Sequence, residues 1–124
     1  VVQWTAEHEV ADLQTFDIGV YPLPIDDWVL GKSGLKAIQY MAFALPCVAT
    51  EVGTTPNLIQ DGINGRLVKT DEEWLAALEE LVRNPELRRK LGQQARKDAV
   101  ANYSLKAIAK QYDEVLRDVM EIAV

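Results

Sequence analysis

Cysteine and histidine are almost missing from this chain: Cys47 and His8 are the only examples. A lone cysteine forms no internal disulfide. Cys47 sits inside an apolar run, the setting of a buried structural thiol, and a reducing compartment fits. His8 lies in a polar stretch and reads as a surface residue. No His/Cys/Asp cluster has metal-ligand spacing, so no metal is expected. No apolar run reaches the roughly 20 residues of a membrane span, and no signal peptide, internal repeat or low-complexity stretch is visible. Positive charge is the scarcer sign, with 13 Lys and Arg against 19 Asp and Glu, a net charge of -6. That balance argues against a general nucleic-acid binder. It leaves room for a local cationic site for an acidic small ligand.

What remains is an ordinary globular composition, 48% hydrophobic and 26% charged over 124 residues, the size of one domain. The first residue is not Met and the chain opens inside the apolar "VVQW", so a piece of a longer protein is expected. Residues 1–4 read as a strand and residues 7–15 as a short helix. "DIGVYPL", residues 17–23, is a compact buried strand closed by Pro22 and Pro24. Residues 34–44 carry Leu35, Ile38, Met41 and Ala42 at helical spacing. Pro46 resets the chain into "CVATEV", a second buried strand. Residues 55–60 suggest a helix of one or two turns, with turn chemistry at Asp61, Gly62, Asn64 and Gly65 before the strand "GRLV". Residues 70–73, "TDEE", form a capping box before a helix with Trp74, Leu78, Leu81 and Val82 on one face. Asn84-Pro85 starts the next helix, marked by Leu87, Leu91, Ala95 and Ala99. Ser104 caps a last helix with the stripe Leu105, Ile108, Tyr112, Val115, Leu116 and Val119. These last helices are expected to pack on the domain. The alternation predicts an α/β domain with a Rossmann-like, mainly parallel sheet and flanking helices: an α/β part over 1–70 and a helical part over 71–124.

In such sheets ligands sit at the carboxyl ends of the strands, which directs attention to "LGKSGLKAIQYMA" after the "DIGVYPL" strand. Its Gly-Lys-Ser is the tail of the triphosphatase phosphate loop. That loop needs a glycine five residues before the Gly-Lys-Ser glycine, and Asp26 stands there. The spacing excludes it. As a helix start, Ser33 is the natural N-cap, and a capping box would want Glu or Gln where Lys36 stands. Lys32 and Lys36 both oppose the helix dipole, at about 0.3–1 kcal/mol each, whereas the helix at Asp71 begins with three acids. The misplaced lysines make sense if an anion sits at this helix start, with Gly34 opening close approach to the backbone N–H groups. The bland reading leaves both lysines in solvent. Asp26-Asp27 reads as a polar turn rather than a metal pair. Trp28 either stacks on a base or sugar or packs over its loop.

"DIGVYPL…GKSGLKAIQYMAFALPCVAT…DGINGRLV", together with "LRRKLGQQARKDAVANYS", resembles the C-terminal, donor-binding domain of retaining group 1 glycosyltransferases of the GT-B fold. The resemblance implies that this helix start, with Lys32, Ser33, Gly34, Leu35 and Lys36, holds the diphosphate of a nucleotide sugar. It implies that Gln39 and Gly31 occupy the places of two family glutamates, the first gripping the ribose and the second near the sugar. It also implies that Gly53 and Thr54 border the donor, with Asn57 where a Glu is common. It names no catalytic residue here. It implies sugar transfer with retention to a polysaccharide, lipid or small-molecule acceptor. The diphosphate would leave toward N–H donors and ammonium groups rather than a metal. Cytoplasmic cell-envelope polysaccharide biosynthesis, peripheral at the inner membrane face, would follow. The N-terminal acceptor domain is missing, as are donor-domain strands that would lie between "VVQW" and "DIGVYPL". An open sheet edge, available for self-association, is expected there. Exposed apolar residues near Val119 and Met120 would suit a final helix that crosses toward the acceptor domain. Two competing readings stand beside this one. One is a degenerate sugar-nucleotide binding module without catalysis. The other is a receiver-type signalling domain, which needs a phosphorylatable Asp at a strand end.

Overall fold

The computed structural model describes residues 1–122; Ala123 and Val124 of the expected helical part lie outside the described residues. Three short strands, β1 (Gly19–Tyr21), β2 (Cys47–Thr50) and β3 (Gly65–Val68), pair in parallel in the order β1-β2-β3. Helices α1 (Glu9–Leu13), α2 (Leu35–Ala42) and α3 (Thr55–Leu58) and a 3-10 turn at Val29–Gly31 precede or connect the strands. Helices α4 (Asp71–Arg83), α5 (Pro85–Tyr103) and α6 (Leu105–Ile122) follow. The expected α/β architecture with a parallel sheet and a helical tail is present.

The sheet is organised around β2. All four of its residues are buried, as a strand flanked on both edges and covered on both faces requires. Because strand side chains alternate, Cys47 and Ala49 face Ala37 of α2 with Leu58 and Ile59. Val48 faces the other way, against Val68, Ala77, Leu81 and Leu91. Helix α2 therefore covers one face, and α4 with α5 covers the other. A third cluster, Met41 with Ala95 and Ala99, fastens α2 to α5. That contact depends on Gly92, where an added Cβ would lie 1.9 Å from the Ala44 carbonyl oxygen. Gly19 plays the same part in β1, since a Cβ there would fall 2.3 Å from Cγ of Tyr40.

The helix ends follow the sequence signals closely in the second half. Thr70 accepts from the Glu73 N–H and Glu73 reaches back, completing the capping box of α4. Asn84 Oδ1 accepts from the Leu87 N–H at 3.0 Å, with Pro85 in the first turn of α5. Ser104 Oγ accepts from the Ala107 N–H at the start of α6.

Several expectations need correction. Residues 1–4 are not a strand: they form no sheet pairing, and Val1, Val2 and Trp4 are exposed. An isolated four-residue strand has no ladder to hold it. The first helix shrinks from 7–15 to Glu9–Leu13. On α2 the buried residues are Ala37 and Met41, while Leu35 is exposed. On α4 the buried stripe runs through Ala77 and Leu81, which leaves Val82 in solvent. Helix α6 has no fully buried residue: Ala107 and Ile108 near its start are half-buried beside α5, and the rest of its apolar stripe is exposed. Val119 and Met120 are exposed, as expected. Strand β1 pairs only with β2 among the described residues, and Val20 on it is exposed.

Cys47 is buried in β2, and burial pushes its thiol from the ordinary 9.0 up to about 12. The folded state keeps the proton that the unfolded chain releases near 9.0. The stabilisation from the neutral thiol is therefore complete below pH 9 and declines as pH rises toward about 12. Denaturant midpoints between pH 8 and pH 11 should fall more steeply for the parent chain than for Cys47→Ala. Parallel slopes would show that the thiol is not held neutral by the fold.

Candidate functional site

The polypeptide leaves β1 at Tyr21, crosses a loop and forms α2, which returns to β2. In such a βαβ unit the helix start lies at the carboxyl ends of the strands. Three contacts tie the loops together there. The Leu23 N–H donates to Thr50 Oγ1 at 2.9 Å. Thr55 Oγ1 donates to the Thr50 carbonyl at 2.6 Å. Thr54 Oγ1 donates to the Lys32 carbonyl at 2.9 Å. The first two residues of the loop after β2, Glu51 and Val52, lead straight into this arrangement.

Two glycines make the approach close. Gly53 has φ 60°, and a Cβ on it would lie 3.0 Å from the Val29 carbonyl oxygen. Gly34 has φ 74° and faces Leu58 and Thr54. Gly34, not Ser33, occupies the N-cap of α2, and among the described residues no side chain caps the helix. The left-handed φ explains the difference, because it suits glycine and turns the chain so that Ser33 falls one step outside. The first N–H groups of α2, at Leu35, Lys36 and Ala37, are those that a helix cannot satisfy internally. Lys32 and Lys36 flank them and are exposed, and among the described residues neither forms an ion pair. All five residues proposed from sequence for the diphosphate are thus brought to one helix start. Gly53 and Thr54 border it.

Gly31 ends the 3-10 turn with open space around it. It lines a depression of about 440 Å³ with Asp27, Trp28 and Lys32. Trp28 is 80% exposed, so it does not pack over its loop. Asp26 Oδ1 accepts from the Val29 N–H at 3.0 Å, a turn-closing role, and among the described residues no group of acids, His and Cys could hold a metal ion. Asp61 and Asn64 are turn residues as read. Asp61 accepts from Leu67 N–H and Arg66, while buried Asn64 donates to Asp98 Oδ2 on α5. Strand β1 ends in Tyr21 followed by Pro22, with no carboxylate for a receiver-type phosphorylation.

Gln39 lies one turn further along α2, on the same face as Lys36. Its Nε2 donates to Glu9 Oε1 at 3.2 Å, and its Oε1 is buried without a hydrogen bond among the described residues. Glu9 also accepts from the Trp4 indole N–H at 2.9 Å. Sequence reading did not single out Glu9. It lies 30 positions from Gln39 in a stretch whose composition marks only a short helix, so only the tertiary contact reveals it.

Comparison with known proteins identifies the family. The family model described as glycosyl transferases group 1 matches residues 19–98. The chain belongs to that family. Among curated relatives of this chain, the N-acetyl-alpha-D-glucosaminyl L-malate synthase of Bacillus anthracis is 32% identical over 89 residues, covering 70% of this chain and 23% of the relative. The D-inositol 3-phosphate glycosyltransferase of Corynebacterium aurimucosum is 33% identical over 93 residues, covering 73% and 22%. The chain therefore spans less than a quarter of the length of these relatives. A sucrose-phosphate synthase structure from Thermosynechococcus elongatus shares the fold, with a TM-score of 0.75 at 23% identity, covering 98% of this chain and 30% of that one. The C-terminal domain of a group 1 family protein from Francisella tularensis superposes with a TM-score of 0.64 at 25% identity, over 84% of this chain and 53% of that one.

Gly34→Ala should lower stability by about 1–2 kcal/mol, the usual penalty of a left-handed backbone for an L-residue. Leu58 is a side-chain end that can move aside, so the backbone rather than the clash sets the size. Thr54→Val removes the bond to Lys32 and should lower it by about 1 kcal/mol. Urea denaturation of the two variants checks both. An unchanged midpoint for Gly34→Ala would show that the helix start does not need its left-handed cap.

Proposed function

We propose that this chain is the donor-binding part of a glycosyltransferase that moves a sugar from a nucleotide diphosphate sugar to an acceptor. The observation that carries the reading is the start of α2: a glycine cap that, among the described residues, has no side-chain partner, flanked by two lysines that form no ion pair there, at the carboxyl ends of parallel strands. Helix α4 has the ordinary arrangement, three acids in its first turn and a complete capping box. The same chain thus applies the usual rule at one helix and reverses it at another. Two lysines against the dipole are unfavourable by about 0.3–1 kcal/mol each. A diphosphate placed there reverses the sign, since it accepts from the free N–H groups and pairs with both ammonium groups.

In the transfer reaction the bond from the anomeric carbon to the diphosphate breaks and negative charge builds on the leaving oxygen. Donors already aimed at that position stabilise the charge without reorganising, which is how this helix start would lower the barrier. We place the donor on the α/β part, 1–70, with the helical part, 71–124, as its support. The acceptor would be held by an N-terminal domain outside this chain. A polysaccharide, a lipid or a small molecule all fit an enzyme working at the inner face of a membrane. No helix among the described residues is long and apolar enough to cross a membrane.

Gly31 and Gln39, where the family resemblance expects glutamates, favour a second reading: a sugar-nucleotide binding module without catalysis. The two readings share the anion site and part at turnover, so an assay with the chain joined to an acceptor domain separates them. Calorimetry of the chain against UDP, GDP and ADP tests what they share. Lys32→Ala and Lys36→Ala should each weaken binding by roughly tenfold, the scale of one charge-assisted bond to phosphate. Affinity that survives both changes would remove the anion site from the account.

A further inference from the structure

The two ends of α2 are treated differently. A helix leaves its last carbonyls without internal partners, yet at the carboxyl end of α2 each of them is satisfied. The Gln39, Tyr40 and Met41 carbonyls accept from the N–H groups of Phe43, Leu45 and Ala44 at 3.2, 3.0 and 3.0 Å. The chain turns back there through Ala44, which takes the left-handed φ of 57° that a glycine usually supplies. The last carbonyl, that of Ala42, accepts from Arg96 Nη1 on α5, 54 positions away in sequence. Among the described residues Arg96 has no carboxylate partner. Its neighbours on the same face of α5, Gly92, Ala95 and Ala99, are the residues that meet Ala44 and Met41. At the amino end, by contrast, no side chain among the described residues caps the helix.

On the reading of this chain as a donor-binding part, we propose that Arg96 is a positioning residue of the diphosphate site and holds α2 from its far end. Helix α2 has 8 residues, too few to be stable alone, so its order comes from what it packs against. At about 1.5 Å per residue its ends are roughly 12 Å apart. Its first two residues, Leu35 and Lys36, are exposed, and its buried residues are Ala37 and Met41. The direction of the free N–H groups in the first turn is therefore set by the part of the helix that the domain grips. Arg96 closes that grip at the last carbonyl. Its guanidinium also places a cation at the negative end of the helix dipole, which complements an anion at the positive end. Arg96 touches neither the diphosphate nor the reacting atoms. It acts through the axis of α2.

The test is calorimetry of the chain with inorganic pyrophosphate at about 0.15 M salt, where charges are screened beyond about 8 Å. The proteins are the parent, Arg96→Met, Arg96→Lys, Lys97→Met and Thr70→Ala. Arg96 is exposed and lies outside the three core clusters, so its variants should fold, and circular dichroism verifies it. Arg96→Met keeps an apolar stem and removes the charge and the donor. It should weaken pyrophosphate by roughly two- to fivefold, the scale of one cation at a helix end. Arg96→Lys keeps the charge and a donor for the Ala42 carbonyl, and should stay within about twofold of the parent. Lys97→Met removes the adjacent charge of α5, and Thr70→Ala breaks the capping box of α4 and lowers the urea midpoint. Both should bind as the parent does. Equal affinity in Arg96→Met and the parent overturns the role of Arg96 while the diphosphate site stands. A loss that Arg96→Lys does not restore, or that Lys97→Met or Thr70→Ala reproduces, also overturns it, by making packing, net charge or overall stability the cause. Failure of the parent to bind pyrophosphate overturns this inference and the donor-binding reading together.

Discussion

The parallel pairing of β2 with a neighbour on each side is the constraint on which the rest of this molecule depends. The register places Cys47 opposite both Gly19 of β1 and Gly65 of β3, so the two preceding connections end at one level of the sheet. The connections that leave β1 and β2 then emerge side by side. One carries Val29 to Gly34 and the other Gly53 to Leu58; Gly53 lets its backbone approach that of Val29, and Gly34 faces the side chains of Thr54 and Leu58. The helix start is thus positioned by backbone contacts that branch from one buried strand. Burial of Val48 against Leu81 and Leu91 on one face, and of Cys47 and Ala49 on the other, fixes that strand in place. Loss of a side chain such as Leu81 or Leu91 would typically be unfavourable by about 2–5 kcal/mol, more than any single polar contact in the loops. The core therefore dictates where the loops lie, and the polar bonds adjust them.

Electrostatics then distinguishes this helix start from its neighbours. Several charged groups in the chain find ordinary partners: Arg66 lies between Asp61 and Glu80, Lys69 pairs with Glu51, and Arg83, Arg89 and Arg117 pair within their own helices. Exposed pairs of this kind contribute little, about 0–1 kcal/mol each, and shape solubility more than stability. Lys32 and Lys36 stand apart because they sit where the dipole already supplies positive potential. Under the proposed function, a bound diphosphate would recover the energy they forgo. The family match spans the segment that carries this helix start.

Much of this was legible beforehand, for identifiable reasons. A strand buried on both faces appears as a short continuous apolar run, and "CVAT" does so. Capping residues act over three or four positions, so Thr70, Asn84 and Ser104 mark their helices unaided. The failures were of longer range. "VVQW" has strand composition but no neighbour to pair with. Ser33 has the chemistry of a cap, but the backbone turns left-handed at Gly34, which puts the helix start one residue later. Val82 and the stripe of α6 have the right spacing to be buried, yet spacing alone does not say whether another element lies opposite. Gln39 was singled out from the sequence and its hydrogen-bond partner Glu9 was not, because that contact exists only where α1 meets α2.

The most direct test of the central claim follows backbone amides by nuclear magnetic resonance while inorganic pyrophosphate is added. The account predicts that the amides of Gly34, Leu35 and Lys36 shift first and saturate together. Movement confined to another basic surface, such as Lys90 and Lys97 of α5, or no movement at all, would contradict it.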